Sequence, residues 1–223
     1  MHRQHLQLSW LLAYFLLVTL LCRLGFWQLD RAEQKQVLIR EQVQAMQATP
    51  VNLNQVPIQD LQRYQAVEVS GRYDSEHSFL LDNQILDSKV GYWVFSPFIY
   101  DEKRPAILVN RGWIPLNQNR QQLPEITTPA NQISLKGRIN QFPKPGIELA
   151  NAEIPASGWP AVMQVIKAPV VSGSLGYSVA EFQIELAPDQ PDAYKRQWQQ
   201  AVAIPPEKHR AYAVQWFGLA VTL

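Results

Sequence analysis

The sequence that decides the fold is the closing stretch from Pro205 to Leu223, PPEKHRAYAVQWFGLAVTL. Two prolines end the preceding secondary-structure element, a short charged cluster follows, and the remainder is apolar. At helical spacing His209, Tyr212, Ala213 and Trp216 share one face, because residues three or four apart are neighbours on a helix. The stretch therefore predicts a helix that carries one histidine where charged sequence gives way to apolar sequence.

This final apolar run is short for a membrane helix. Ala211–Leu223 contains 13 residues, which make about 20 Å of helix at 1.5 Å per residue, whereas the hydrocarbon core is ~30 Å thick. We expect residues 209–223 to form a second transmembrane helix, which is either truncated or ends inside the bilayer. The sequence leaves these two alternatives open.

The other apolar stretch lies at the opposite end of the chain. Residues 6–27 predict a first transmembrane helix, after a short cytoplasmic segment of residues 1–5, with Trp27 as an interfacial anchor. A cleaved signal peptide is disfavoured, because the bulky sequence LLCRL stands where a small-residue cleavage site is required. Residues 28–48 are rich in Gln, Glu, Arg and Lys, and are predicted to continue the helix into solvent.

Residues 49–208 differ in composition from the two ends of the chain. They contain most of the 16 prolines and 10 glycines, and many short runs in which apolar and polar residues alternate. The predicted strands are Gln65–Tyr73, Phe79–Leu81, Tyr92–Tyr100, Ala106–Ile114, Ile133–Phe142 and Tyr177–Leu186. Connections of about 5–20 residues favour antiparallel pairing, because parallel neighbours need crossover helices. One short helix is predicted over Gln190–Gln200. The predicted fold class is therefore a membrane-anchored α+β protein, with two transmembrane helices flanking an antiparallel β-rich domain that is barrel-like or sandwich-like.

Composition excludes several classes of function. A formal net charge of +1 gives no support to a nucleic-acid partner. The single cysteine, Cys22, excludes an intrachain disulfide and a cysteine-based metal cluster. Catalytic motifs are missing and the acidic residues are scattered, so we expect a binding protein and not an enzyme. His2 and His5 precede the first helix, and His77 lies in turn-like sequence, so all three are predicted at the surface.

His209 has two interpretations. A histidine at a membrane boundary caps a helix or binds a lipid head group, or it serves as an axial ligand to haem iron, because neutral imidazole is a standard haem ligand. In the second case the macrocycle would lie along the membrane helices, and its propionates would reach Arg23, Arg31 or Arg210. On the sequence alone the interfacial interpretation is favoured, because a lone histidine is weak evidence for a ligand.

The segment Val109–Pro115, VNRGWIP, is predicted to be a strand that ends in a turn. Gly112 would supply a positive φ and Trp113 would fill the core. Arg111 is equally compatible with a structural role and with pairing to a carboxylate or a haem propionate.

Several stretches together resemble the Surfeit locus protein 1 family, the cytochrome c oxidase assembly factors of mitochondria and aerobic bacteria. In chain order they are LGFWQLDR at 24–31, YQ at 64–65, VEVSGRY at 67–73, LDN at 81–83, GYWV at 91–94, VNRGWIP at 109–115 and HRAYAVQWF at 209–217. The motif residues among them are Gly25, Trp27, Gln28, Asn110, Gly112, Trp113 and Gln215. The order of these pieces over residues 24–220 is specific, whereas Gln141–Ala180 matches only loosely and the second helix is shorter than in the family.

The resemblance implies a multi-pass protein of the inner membrane with its main domain in the periplasm. It also implies a role in maturing the haem a-containing subunit of a terminal oxidase. The expected partners are haem A synthase, cytochrome c oxidase subunit I and membrane lipid, and the expected cofactor is transiently bound haem a, with no metal bound by the protein alone. The residues expected to hold haem are His209 as iron ligand, Tyr212 and Trp216 beside the ring, and Arg23, Arg31, Arg210 or Arg111 near the propionates.

A haem-free membrane scaffold is the alternative. It would bind oxidase subunits through the β-rich domain and the two helices, without a cofactor. His209 would then be an interfacial cap, and the predicted turn at residues 110–113 would be the docking surface.

Overall fold

The computed structural model of the chain describes residues 2–117, 119, 122–144, 146, 150–191, 194–198 and 204–223. These residues form two compact units. The first, called the helix pair below, comprises the described residues of Met1–Gln44 and Gln199–Leu223. The second, called the β domain, comprises the described residues of Ala45–Trp198.

The helix pair begins with α1, a single helix over His2–Gln47. Large apolar side chains such as Trp10, Leu12 and Phe15 are exposed along its first half. By length and composition α1 is sufficient to cross a membrane. The predicted apolar N-terminal helix is therefore confirmed, and it is consistent with membrane anchoring.

The second member of the pair is α3, which covers Pro206–Thr222. It begins at a proline because the fixed φ of proline suits the first helical position and its missing N–H needs no partner there. Its buried residues are Pro206 and Ala213. Among the described residues only α1 meets the length and hydropathy expected of a membrane span. A membrane-spanning role for α3 therefore stays a prediction.

Within the described residues the β domain has eight strands and two short helices. The strands are β1 (Val51–Asn52), β2 (Ala66–Tyr73), β3 (Phe79–Leu86), β4 (Lys89–Ile99), β5 (Ala106–Pro115), β6 (Ile133–Asn140), β7 (Ala161–Met163) and β8 (Val179–Leu186). The helices are a 3₁₀ turn over Ile58–Asp60 and α2 over Ala168–Leu175. All six predicted strands are present, and β3 is longer than expected because it continues into a hairpin with β4.

The sheet closes into a barrel. Strands β2, β6, β8, β5 and β4 are neighbours in that order, and the end of β4 pairs back onto the end of β2 through Arg72–Ile99 and Tyr73–Phe98. Closure removes the exposed edges of these five strands and favours the barrel-like alternative. The cluster that includes Val67, Val69, Ile107, Val109 and Ile184 fills one core. A second core packs β3, β4 and β5 against β7 and α2.

Two expectations for the strand pairing and the helices of the β domain are wrong. Pairing is not uniformly antiparallel, because β1–β2, β3–β7 and β5–β8 are parallel. None of these parallel pairs joins strands linked by a tight hairpin, and the chain passes through β6, β7 and α2 between β5 and β8, which gives it room to return in the same direction. The helix predicted over Gln190–Gln200 is absent from its described part, where Lys195 forms an extended bridge with Trp113. Residues 192–193 and 199–200 lie outside the described residues.

The segment at residues 109–115 stays in strand β5 as far as Pro115, so the predicted turn is wrong. The predicted roles of its glycine and tryptophan are confirmed. Gly112 has φ of 117° and lies next to the register shift in the β4–β5 pairing, where Arg111 is the extra residue on β5. Trp113 is buried, and its indole N–H donates to the Gln84 carbonyl at 2.9 Å. A Cβ at Gly112 would lie 2.9 Å from the Tyr194 backbone, so this close approach also requires glycine.

Candidate functional site

The candidate site lies in the helix pair, where His209 of α3 meets Gln28 of α1. The Nδ1 atom of His209 lies 2.7 Å from the Oε1 atom of Gln28. An amide oxygen only accepts hydrogen bonds, so this contact is a hydrogen bond in the tautomer that carries its proton on Nδ1. The other ring nitrogen, Nε2, is then left with a free lone pair.

The Nε2 atom of His209 is buried and has no hydrogen-bond partner among the described residues. The one other buried side-chain polar atom in this condition within the described chain is the hydroxyl of Tyr100 in the β domain, whose ring lies 6.0 Å from the Arg104 guanidinium. Buried polar groups are almost always paired, so an unpaired one requires an explanation. At His209 the unpaired atom is an imidazole nitrogen, which is a metal donor.

A glycine brings the two helices together next to this contact. A Cβ built at Gly25 would lie 2.6 Å from the ring of Phe217, so only glycine admits that ring. The same ring packs edge-on against Phe26, with ring centroids 5.2 Å apart. Gly25 precedes Gln28 by one turn on α1, while Phe217 follows His209 by about two turns on α3. The two helices therefore run antiparallel, and the Gly25–Phe217 contact supports the hydrogen bond between Gln28 and His209.

The predicted aromatic face of α3 is only partly present. Ala213 is buried, and His209 and Trp216 are half-buried. Tyr212 is 49% exposed and lies off the buried stripe. The motif residue Gln215 is also exposed. Residues 209, 213 and 216 repeat at the 4–3 spacing of a packed helix seam, and Tyr212 lies beside this seam. The role of Tyr212 beside a haem ring stays a prediction.

The arginines of the helix pair are exposed. Arg23 and Arg31 lie on α1, and Arg210 lies directly after His209 on α3. The Arg31 guanidinium donates to Gln34 at 3.0 Å and lies 5.5 Å from the ring centroid of Trp27, one turn earlier. Exposed guanidinium groups on this unit are therefore available to an anionic group near the helix pair.

Arg111 belongs to the β domain and is 1% exposed. Its guanidinium donates to the Thr127 carbonyl at 2.8 Å and to the Thr128 hydroxyl at 3.0 Å. The rings of Tyr73 and Tyr194 lie 5.3 Å and 5.4 Å from it. Asn110 beside it is also buried and donates to Gln183 at 3.1 Å. These contacts favour the structural interpretation of Arg111, and they exclude residues 110–113 as an exposed docking turn.

One polar cluster of the β domain was not anticipated. The Asp74 carboxylate accepts from His77 Nδ1 and from the Tyr177 hydroxyl, both at 2.6 Å. Burial would raise the pKa of Asp74, but the hydrogen bonds from Tyr177, His77 and the Glu76 backbone outweigh it and lower that pKa. Burial and the neighbouring carboxylate raise the pKa of Tyr177. Residues 74 and 177 are far apart in sequence, so no local pattern signals the cluster, and His77 is half-buried instead of fully solvated.

The residues of the helix pair fit a haem iron better than a bare metal ion. The described residues contain no group of three or more His, Cys, Asp or Glu side chains placed to hold a metal. His209 instead offers one imidazole donor, whose second nitrogen is held by an amide oxygen. A single axial donor is sufficient when a macrocycle supplies the other ligands. A group that reached Nε2 would have to displace the side chains that cover it.

The fold and the site together define a class: a protein with a long apolar N-terminal helix, a closed β-barrel domain, and a polar contact between α1 and α3. The sequence profile of the SURF1 family matches residues 15–221. The chain therefore belongs to the SURF1 family, and the resemblance seen in its motifs is confirmed.

Individual relatives agree with this assignment. A SURF1-like protein of Rickettsia conorii is 29% identical over 216 residues, which cover 94% of this chain and 85% of that protein. Surfeit locus protein 1 of Xenopus tropicalis is 31% identical over 161 residues, which cover 62% of this chain and 50% of that protein. The SURF1 family is associated with cytochrome oxidase assembly, and its members are assembly factors, not known enzymes.

Proposed function

We propose that this protein binds haem a in the membrane and assists its insertion into subunit I of cytochrome c oxidase. The haem would come from haem A synthase, and the main domain would lie in the periplasm. Binding must be reversible for a carrier, so a single protein ligand and no covalent link are expected. When bound, the haem would supply an iron centre that an imidazole nitrogen can ligate, and His209 would hold it.

The observation that carries this proposal is the unpaired Nε2 atom of His209. Its lone pair is buried, and its ring is oriented by the hydrogen bond from Nδ1 to Gln28. A ligating histidine in a metalloprotein shows the same arrangement, with one nitrogen on the metal and the other donating to an oxygen. A histidine that merely caps a helix or binds a head group would instead point a nitrogen to water or to a backbone group.

The neighbouring residues have subsidiary roles in the proposal. Trp216 is half-buried and Tyr212 is exposed on the same helix, so both are available to lie against the faces or edge of a flat apolar ring. The exposed guanidinium groups of Arg23, Arg31 and Arg210 would offset propionate charge. Arg111 has no part in the proposed site, because its guanidinium is occupied within the β domain.

The test is the absorption spectrum of the full-length protein, purified from membranes that also make haem A. We expect a Soret band in the wild type and its loss in His209→Ala. The matched control is His77→Ala, because His77 also has an Nδ1 atom bonded to an oxygen, at 2.6 Å from Asp74, but belongs to the β domain. A wild type without haem, or equal haem in both variants, contradicts the proposal. Circular dichroism checks that each variant is folded.

A haem-free scaffold is the second candidate, and one observation favours it. The hairpin between β3 and β4 carries Ile85 opposite Val90, and both side chains are exposed. An exposed apolar cross-strand pair is suited to contact with another protein. Oxidase subunits that co-purify with haem-free wild type, and are lost in Ile85→Ser with Val90→Ser, would favour the scaffold. Retention of the subunits by that double variant contradicts this use of the hairpin.

A further inference from the structure

The geometry points to Gln28 as a positioning residue that selects the tautomer of His209 and so makes Nε2 the donor atom. This inference rests on the proposed function for the identity of the ligand, but its first test does not involve haem. Gln28 itself would touch neither the iron nor the macrocycle. Its effect is exerted through the imidazole ring.

The tautomer follows from the atoms that face each other. With Gln28 Oε1 at 2.7 Å from Nδ1, the tautomer with hydrogen on Nδ1 makes a hydrogen bond. The opposite tautomer would set two lone pairs against each other at that distance. It would also place an N–H at Nε2, a buried position with no acceptor among the described residues. Both effects favour the same tautomer, in which Nε2 carries the lone pair.

The hydrogen bond also fixes the direction of that lone pair. An imidazole with one nitrogen bonded to a fixed oxygen cannot rotate about its side-chain torsion without breaking the bond. Partners of this kind orient the ligating histidine and raise its basicity, and their removal costs metal affinity about 10–100-fold. Gln28 is therefore expected to influence affinity without contacting the ligand.

The contact couples the donor to helix packing. Gln28 and His209 are 181 residues apart in sequence, so their hydrogen bond exists only while α1 and α3 are paired. The close approach at Gly25 and Phe217 lies beside it on the same two helices. A loosened helix pair would lose the selected tautomer, and with it the oriented donor. The site is therefore assembled by the helix pair and is not a property of α3 alone.

The first experiment measures the tautomer in the unloaded full-length protein. Nitrogen-15 NMR of histidine-labelled protein in detergent micelles distinguishes protonated from unprotonated Nδ1 and Nε2, with His209→Ala used to assign the signal. We expect Nδ1–H in the wild type, and a fall in its ratio to Nε2–H on the order of tenfold in Gln28→Leu. Gln28→Glu retains an acceptor oxygen and should retain the Nδ1–H form. The matched control is Gln44→Leu, a substitution at an exposed glutamine of the same helix.

The second experiment measures haem a affinity by titration of the wild type and of the three glutamine variants, Gln28→Leu, Gln28→Glu and Gln44→Leu. We expect Gln28→Leu to bind about 10–100-fold more weakly than the wild type, and Gln28→Glu and Gln44→Leu to bind within a fewfold of it. An Nε2–H tautomer in the wild type, or a signal unchanged in Gln28→Leu, overturns the inference whatever the haem data show. If Gln28→Leu loses the Nδ1–H form as expected but the wild type binds no haem, the proposed function is overturned instead. Gln28 is then supported only as the residue that orients His209.

Discussion

Two buried polar sites, Arg138–Glu185 in the β domain and His209 in the helix pair, differ in how their polar atoms are paired. In the barrel wall Arg138 and Glu185 form a buried ion pair at 2.5 Å, and Asn140 donates to the second carboxylate oxygen at 2.8 Å. In the helix pair His209 has one nitrogen bonded to Gln28, while the other is buried without a partner among the described residues.

This difference indicates a structural role for the Arg138–Glu185 pair and a ligand-binding role for His209. A buried charge is stable only when it is paired and hydrogen-bonded, so the Arg138 cluster is explained by the folding of the β domain. A buried lone pair that folding leaves unpaired is a cost, and a ligand that pairs with it removes that cost. The comparison predicts that changes in the first region reduce stability, whereas changes in the second reduce binding.

The largest expected effect is on stability, from Arg138→Met. This substitution leaves the buried carboxylate of Glu185 without its counter-charge, and breaking such a pair costs about 3–5 kcal/mol. We expect a matching loss in the free energy of unfolding of the β domain, measured by denaturant titration with circular dichroism. Replacing both partners, as Arg138→Met with Glu185→Leu, should recover most of the loss because no charge is then left unpaired.

Lys136→Met is the control for this series, because Lys136 lies on the same strand and its side chain is exposed. It should change the unfolding free energy by less than about 0.5 kcal/mol. An Arg138→Met protein as stable as the control would contradict this prediction, because the buried ion pair would then not stabilise the β domain.

An intermediate effect is expected at the helix crossing. In Gly25→Ala the new methyl group would lie 2.6 Å from the Phe217 ring, and overpacking of this kind costs about 1–3 kcal/mol. We expect a lower midpoint of thermal unfolding in micelles and a weaker Nδ1–H signal from His209. Gly218→Ala is the control, because a Cβ there meets nothing within 4 Å.

The double variant Gly25→Ala with Phe217→Ala sharpens this prediction, because it removes the ring that the methyl group would strike. It should regain part of the Nδ1–H signal. If Gly25→Ala leaves both the midpoint and the signal unchanged, the close approach does not support the Gln28–His209 contact.

The smallest expected effect concerns Asp74→Asn in the β domain. The pKa of Asp74 is lowered in the folded state, so its contribution to stability is present above the ordinary aspartate pKa and is lost as pH falls through the folded-state value. At neutral pH we expect Asp74→Asn to be less stable by about 1–2 kcal/mol. The difference from wild type should shrink on acidification, as measured by unfolding titrations across that pH range.

Asp60→Asn serves as the control for this pH dependence, because Asp60 is exposed in the 3₁₀ turn. Its unfolding profile should follow that of the wild type at every pH. A constant difference between Asp74→Asn and wild type down to strongly acidic pH would show that the ionised carboxylate is not what stabilises the cluster.

Patterns with a short range were predictable from the sequence. The apolar N-terminal helix, the six strands, the positive φ of Gly112 and the buried Trp113 all follow from local periodicity and residue type, and the structure confirms them. The ordered motifs identified the family, and the profile match confirms it. His209 was singled out by its position at the edge of an apolar run, and its role as iron ligand stays a prediction.

Only the tertiary structure decided which distant groups meet. The parallel pairing of β5 with β8, the closure of the barrel by β4 on β2, and the Tyr177–Asp74 hydrogen bond join residues that are far apart in sequence. The Gln28–His209 bond joins the two ends of the chain. A histidine in a sequence offers two equivalent-looking nitrogens. Folding distinguishes them, because the oxygen that holds one of them comes from another helix and leaves the other as the donor.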